Sequence, residues 1–178
     1  MVAHVRAEER GDERGALPAF PEEQRGGIRR ALPGLTEERA RSRPSASELS
    51  LGGLLKHVAE VEQGWIARAR QEPPAVARDE SNRHESFRLP GDETVASQLE
   101  HWEKAAGTEA YVRSAPSLDD TFPLPDAPWF PPDERVSVRR LCLHLIRETA
   151  RHAGHAGIVR ESPDGKTGFE PAALERAG

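Results

Sequence analysis

The sequence predicts an all-α fold, a four-helix bundle joined by long proline-rich connections. Four segments place apolar residues at helical spacing, no window alternates cleanly enough to require a sheet, and nothing repeats internally. The 178 residues suit one hydrophobic core at roughly 100–200 residues per domain. With 36% hydrophobic and 31% charged residues the chain is polar, yet apolar enough to fold. The expected organisation is a partly ordered tail over 1–20, a bundle over 21–168 and a C-terminal tail over 169–178.

Residues 1–20 mix charges of both signs with few periodic apolar positions, which gives a tail, and Arg10-Gly11-Asp12 within it reads as a chance motif. From Pro21, PEEQRGGIRRALPGL sets acids before bases as a helix dipole favours; Gly26 and Gly27 weaken this first helix and Pro33-Gly34 breaks it. Thr36-Glu37-Glu38 starts a short piece that stops before Pro44. Ser50 caps the second helix, LGGLLKHVAEVEQGWIARARQ, whose inward positions are Leu51, Leu54, Leu55, Val58, Val61, Trp65 and Ile66.

Residues 71–93 form a crossing loop long enough for the helices it joins to run parallel. Thr94 caps the third helix, VASQLEHWEKAAGTEAYVRSA, with an apolar face of Val95, Leu99, Trp102, Ala106 and Ala110. Pro116 to Pro132 hold no helical period, and the fourth helix runs from about Val136 to Pro163 and Gly165.

Composition also narrows the function. No apolar run approaches the ~20 residues of a membrane span, and the opening MVAHVRAEERGDER lacks the apolar stretch of a secretory signal. A net charge of -5 offers no broad basic surface for a phosphate backbone, so neither membrane nor nucleic acid is expected as a partner. The single cysteine, Cys142, makes no internal disulfide and suits a reducing cytoplasm. Mid-helix between Leu141 and Leu143, it reads as a packed small side chain rather than a nucleophile.

The anomaly lies on the fourth helix. Its inward seam passes Val138, Leu141, Leu145, 148, 152, 155 or 156, and Val159, and two of those places hold Glu148 and His152. A carboxylate in a bundle core is paired, protonated or bound to a cation. Four residues give about 6 Å of rise on one face, so these two side chains can converge on one ion.

A third ligand has to come from another segment. His57, one turn from Leu54 and Val61, fits better than His101, which is turned by a residue from Trp102, than His84 in the loop, or than His4 in the tail. The residues alone leave open a second arrangement, a hydrogen-bonded core histidine with Glu148 paired to Arg147, Arg151 or an arginine of another helix. His144 reads as part of a solvated face. His155 stays open between orienting a ligand, accepting a proton and plain structure, and is the one candidate for a catalytic role.

The stretches SLGGLLKHVAEVEQGWI and VSVRRLCLHLIRETARHAGHAGIVRE resemble the DinB-like superfamily, in particular its actinobacterial branch of mycothiol-dependent S-transferases and maleylpyruvate isomerase. The resemblance spans about residues 20 to 168. It implies a DinB-like four-helix bundle that holds a divalent metal through a His of the second helix and two ligands four residues apart on the last. Transferred to this chain, the ligands are His57, Glu148 and His152. Zinc is the first choice of metal, and nickel or iron fit the same donors.

The implied function is a thiol S-transferase that activates a low-molecular-weight thiol of the mycothiol type toward an electrophilic small molecule, in a chain that forms a homodimer. The rival readings are a non-enzymatic metal-binding stress-response protein and a metal hydrolase. Trp129 and Phe130 are the expected lid, Trp65 and Trp102 core or pocket wall, and the arginines 139, 140, 147 and 151 an exposed face, an inter-subunit patch or a grip on the thiol cosubstrate's carboxylates.

Overall fold

A computed structural model describes residues 12–105, 107–125 and 130–167. The expected C-terminal tail, residues 1–11 with His4, Ala106 and Trp129 lie outside the described residues. The elements are α1 (Glu13–Arg30), α2 (Glu37–Arg41), α3 (Leu51–Arg70), a 3-10 turn (Arg83–Phe87), α4 (Val95–Ala105), α5 (Thr108–Ser114), β1 (Thr121–Pro123), β2 (Arg135–Ser137) and α6 (Val138–Asp164). The fold is an all-α bundle of α1, α3, α4 and α6.

Contacts between helices give their directions. Lys56 meets Glu93, Glu62 meets Trp102 and Ala69 meets Tyr111, so α3 and the α4–α5 arm advance together, as the long loop between them permits. Glu13 meets Arg139 and Gly27 meets Ala153, so α1 and α6 also run side by side in one direction. Arg25 meets Glu62, and His57 and Trp65 meet His152 and His144, so the two pairs run opposite to one another. The result is an up-down-down-up bundle.

Three caps foreseen from the sequence hold: Ser50 Oγ accepts from Gly53 N at 3.1 Å, Thr36 Oγ1 accepts from Arg39 N at 3.3 Å, and Thr94 and Ser97 cap each other through side chain and backbone. The first helix departs from expectation by starting at Glu13 instead of Pro21, so residues 13–20 belong to the bundle and not to a tail. Pro18 and Pro21 each remove a backbone donor inside it. Tertiary contacts offset that loss: Asp12 caps Gly15 N at 2.6 Å, Arg14 donates to the carbonyls of Val112, Ala115 and Pro116, and Glu13 pairs with Arg139 of α6.

Two further differences concern connections. The third helix divides at Gly107 into α4 and α5. The proline-rich stretch folds back as a two-stranded antiparallel hairpin, Phe122 opposite Val136, whose second strand runs into the Ser137 cap of α6. Three-residue strands are too short to show alternation, so no periodicity announced them.

The core has two main ends. One joins Ile28, Leu51, Leu54, Leu55, Val58, Trp102, Ala156 and Val159; the other joins Ile66, Phe122, Val136, Leu141 and Leu145. A buried polar network crosses between helices: Glu62 accepts from Arg25 Nε and Trp102 Nε1, both at 2.9 Å, and from Thr108 Oγ1 at 2.5 Å. Every acceptor position of this buried carboxylate thus meets a donor from α1, α4 or α5, which ties three helices to α3.

Candidate metal centre

The seam of α6 faces inward as its spacing demands, with Leu141, Leu145, His152, Ala156 and Val159 buried and Glu148 nearly so. Opposite, α3 presents His57. The three side chains meet in the groove between the helices: His152 Nε2 lies 3.1 Å and His57 Nε2 3.6 Å from the same oxygen, Glu148 Oε1. Donor atoms of all three fall within 4.8 Å of one another, so the group could hold a metal ion. His57 and Glu148 side chains each keep 14% exposure, so the group borders solvent instead of being sealed in the core.

The 3-10 turn completes the surroundings of His57. Ser86 Oγ donates to the Arg83 carbonyl at 2.8 Å, and so accepts from His57 Nδ1 at 3.1 Å. That bond puts the ring proton on Nδ1 and leaves Nε2 with a bare lone pair aimed at Glu148. Phe87 stacks on the imidazole with centroids 3.9 Å apart. A further pair tethers the same loop, since Arg78 donates to both carboxylate oxygens of Glu60, at 3.0 and 2.8 Å.

The glycines of LGGLLKHV explain how the turn comes so close. A Cβ on Gly53 would stand 1.9 Å from the Phe87 carbonyl oxygen, and one on Gly52 would stand 2.4 Å from Leu89 Cδ1. Two helical glycines cost about 1 kcal/mol each against alanine. Here they let a loop backbone rest on α3 one turn ahead of His57.

Electrostatics point the same way as the geometry. Burial pushes the His57 pKa down, which favours the neutral ring. A hydrogen bond from His152 holds the Glu148 carboxyl well below the usual carboxylate range, against the opposing effect of burial. As metal ligands the two imidazoles are neutral and the carboxylate is ionised, so the donor set carries a charge of −1, which a divalent cation would turn to +1. Spacings of 3.1 and 3.6 Å bracket about 3.3 Å, the edge of a tetrahedron whose ligands stand ~2.0–2.1 Å from its centre.

The remaining histidines separate cleanly. His101 bonds Gln63 across α3 and α4, and His84 is exposed on the 3-10 turn. His155 sits half-buried with its ring 5.4 Å from that of His152, outside the donor group; Nδ1 of each ring is buried with no hydrogen-bond partner among the described residues. His144 is not on a solvated face: it packs on Trp65 at 4.4 Å and its Nδ1 lies 3.2 Å from Arg147. Glu148 has no arginine from another helix among the partners described; Arg151, one turn away, approaches its outer oxygen at 3.3 Å.

Trp102 is core, whereas Trp65 is partly buried, packed against the second core cluster and on His144. Phe130 lies half-buried in the connection between β1 and β2. The aromatic ring that stands over the site is Phe87, which no periodicity marked. Cys142 is fully buried, and burial pushes its thiol up to about 11, in keeping with a packing role.

Comparison with known proteins bears on fold and family. A crystal structure described as the conserved protein of locus from Enterococcus faecalis superposes with a TM-score of 0.65 at 16% identity, covering 92% of this chain and 100% of that one, which establishes a shared fold. No curated protein matches. The family pattern of the Mycothiol-S-transferases matches residues 16–165, from the first turn of α1 to the end of α6 and through every residue of the donor group. On that match, the chain belongs to the mycothiol S-transferase family, whose fold is the DinB-like bundle.

Proposed function

We propose that this chain is a divalent-metal-dependent thiol S-transferase in which His57, Glu148 and His152 hold the ion. The observation that carries the reading is the pair of donors that face each other without a shared proton. His57 gives its proton to Ser86, so its Nε2 lone pair looks at an ionised Glu148 oxygen 3.6 Å away. A cation between them turns an unfavourable contact into two bonds. Membership of the mycothiol S-transferase family supplies the thiol as cosubstrate class.

A divalent ion with three protein donors supplies a position at which a thiol is favoured as thiolate. The chain's own groups prepare that place. Ser86 holds the His57 ring in one tautomer, Phe87 shields one face of it from water, and Glu148 contributes a single negative charge, so the site accommodates one more anion. His155 is a further imidazole beside His152 and is the residue proposed to receive the thiol proton or to steady the ligand. The partial exposure of His57 and Glu148 favours a site that admits substrate over a closed structural clip. Zinc is the proposed metal.

The test is metal analysis and turnover on one preparation, with a panel of thiols that includes mycothiol and a bimane-type electrophile. One ion per chain is expected, with activity lost in His152→Ala. Wild type and variant turning over at equal rates would remove the catalytic claim.

A further inference from the structure

Several arginines of the bundle are taken up by carboxylates, Arg25 by Glu62, Arg78 by Glu60, Arg139 by Glu13 and Asp119, and others such as Arg14 and Arg41 by backbone carbonyls. The groove end beside Glu148 is different. Arg68 lies with its guanidinium 5.4 Å from the centre of the Trp65 ring, Trp65 packs on His144 at 4.4 Å, and Arg147 Nη2 sits 3.2 Å from His144 Nδ1. Neither Arg68 nor Arg147 meets a carboxylate among the described residues. Arg151 joins this group to the donor triad through its 3.3 Å approach to Glu148.

The hydrogen-bonding inventory of this cluster is one-sided. A guanidinium has no acceptor, so His144 Nδ1 accepts from Arg147 and the ring proton is left on Nε2. The surface therefore offers three guanidinium groups and an imidazole N–H, all donors. Arg68 is half-buried, and its pKa is drawn down by burial, with no neighbouring anion acting against it. Stacking on Trp65 offsets part of that cost, and an anion would offset the rest.

We infer that Arg68, Arg147 and Arg151, set around Trp65 and His144, form an anion subsite that takes a carboxylate of one of the reactants. The spacing indicates the size of that reactant. His144 and Glu148 are one helical turn apart, about 6 Å of rise, so a carboxylate held at His144 belongs to a small acid whose reacting atom lies three to five bonds away, at the triad. Its role in turnover rests on the transferase reading; its ability to bind an anion does not. Bidentate contact with a planar carboxylate suits arginine, and each such contact is worth about tenfold or more in affinity.

The probe is succinate, titrated into the full chain with and without zinc and followed by calorimetry and by intrinsic tryptophan fluorescence, with succinamide as the neutral control. Saturable binding of succinate alone is expected in both forms. It weakens about tenfold or more in Arg68→Gln and in Arg147→Gln, and recovers in part in Arg68→Lys. Circular dichroism confirms that each variant is folded. Absence of saturable binding, or equal binding by the double variant, overturns the inference.

Turnover of the double variant then assigns the source of the carboxylate. A selective loss with a carboxylated maleimide against N-ethylmaleimide places it on the electrophile. A selective loss with a carboxylated thiol against a neutral one places it on the thiol, and a loss with neither overturns a role in selection. If succinate binds through these arginines while no thiol is turned over, the subsite stands and the transferase reading falls. Turnover without succinate binding gives the reverse.

Discussion

Ser86→Ala is the change that isolates how the fold prepares its donor. Ser86 is 6% exposed, and its hydroxyl accepts the His57 Nδ1 proton at 3.1 Å while donating to Arg83. Without that acceptor a mostly buried N–H loses its partner, at about 1–3 kcal/mol for a buried group. The 14% exposure of the His57 side chain lets some solvent in, which puts the cost toward the lower half of that range, about 1–2 kcal/mol. The proton is also freed to move to Nε2 and bond Glu148, closing the face that would hold an ion. One decade per 1.4 kcal/mol turns this into a loss of about five- to thirty-fold in zinc affinity, in line with the ~10–100-fold typical of groups that orient a ligand. Competition against a chromogenic chelator at pH 7 measures it, with Ser86→Thr as the variant that keeps the hydroxyl. Affinity unchanged in Ser86→Ala would refute the claim that this bond selects the tautomer.

Gly53→Ala forces the Phe87 backbone off α3, because the added carbon would stand 1.9 Å from its carbonyl oxygen; zinc affinity is expected to fall at least as far as in Ser86→Ala, and a chelator titration checks it. Glu62→Ala leaves the Arg25 guanidinium, 6% exposed, with Glu22 as its remaining carboxylate and takes the acceptor from Trp102 Nε1 and Thr108 Oγ1; it is expected to cost about 3–5 kcal/mol, read as a lowered urea midpoint. The metal-free protein should lose stability in two stages on acidification. Burial depresses His57 and His144 below the ordinary 6.5, so the unfolded chain takes up protons first as pH falls through 6.5 and stability declines toward the folded values. The His152 hydrogen bond depresses Glu148 below 4.5, so its contribution is complete above 4.5 and is lost as pH falls beneath it. Urea unfolding across pH 7 to 3 follows both stages, and Glu148→Gln should diminish the second, the rest of which belongs to Glu22 and the other paired carboxylates; a stability that stays flat from pH 7 to 5 would contradict the first.

Sequence by itself determined the helices that carry the donor group. An apolar stripe has to be buried somewhere, so Leu141, Leu145, Ala156 and Val159 fixed which face of α6 points inward and took Glu148 and His152 with them. Leu54 and Val61 did the same for His57 on α3. Periodicity is a local property, and these are local facts. It also misjudged a local exception: mixed charges and few periodic apolar positions before Pro21 argued against a helix that Arg14 and Glu13 secure through partners about a hundred residues away in the chain.

What only the tertiary structure decided is everything that depends on who the neighbour is. The motif showed two glycines ahead of His57, and the fold showed that they make room for the Phe87 backbone. Nothing in RHESF distinguishes Ser86 from any loop serine until the crossing loop is laid against α3. Likewise Arg68 and Arg147, on different helices, look like ordinary surface bases along the chain and become one donor-only cluster when Trp65 and His144 bring them together. Spacing along a helix fixes the direction a side chain takes; the free energy of a polar group depends on its partner, and partners are chosen by packing.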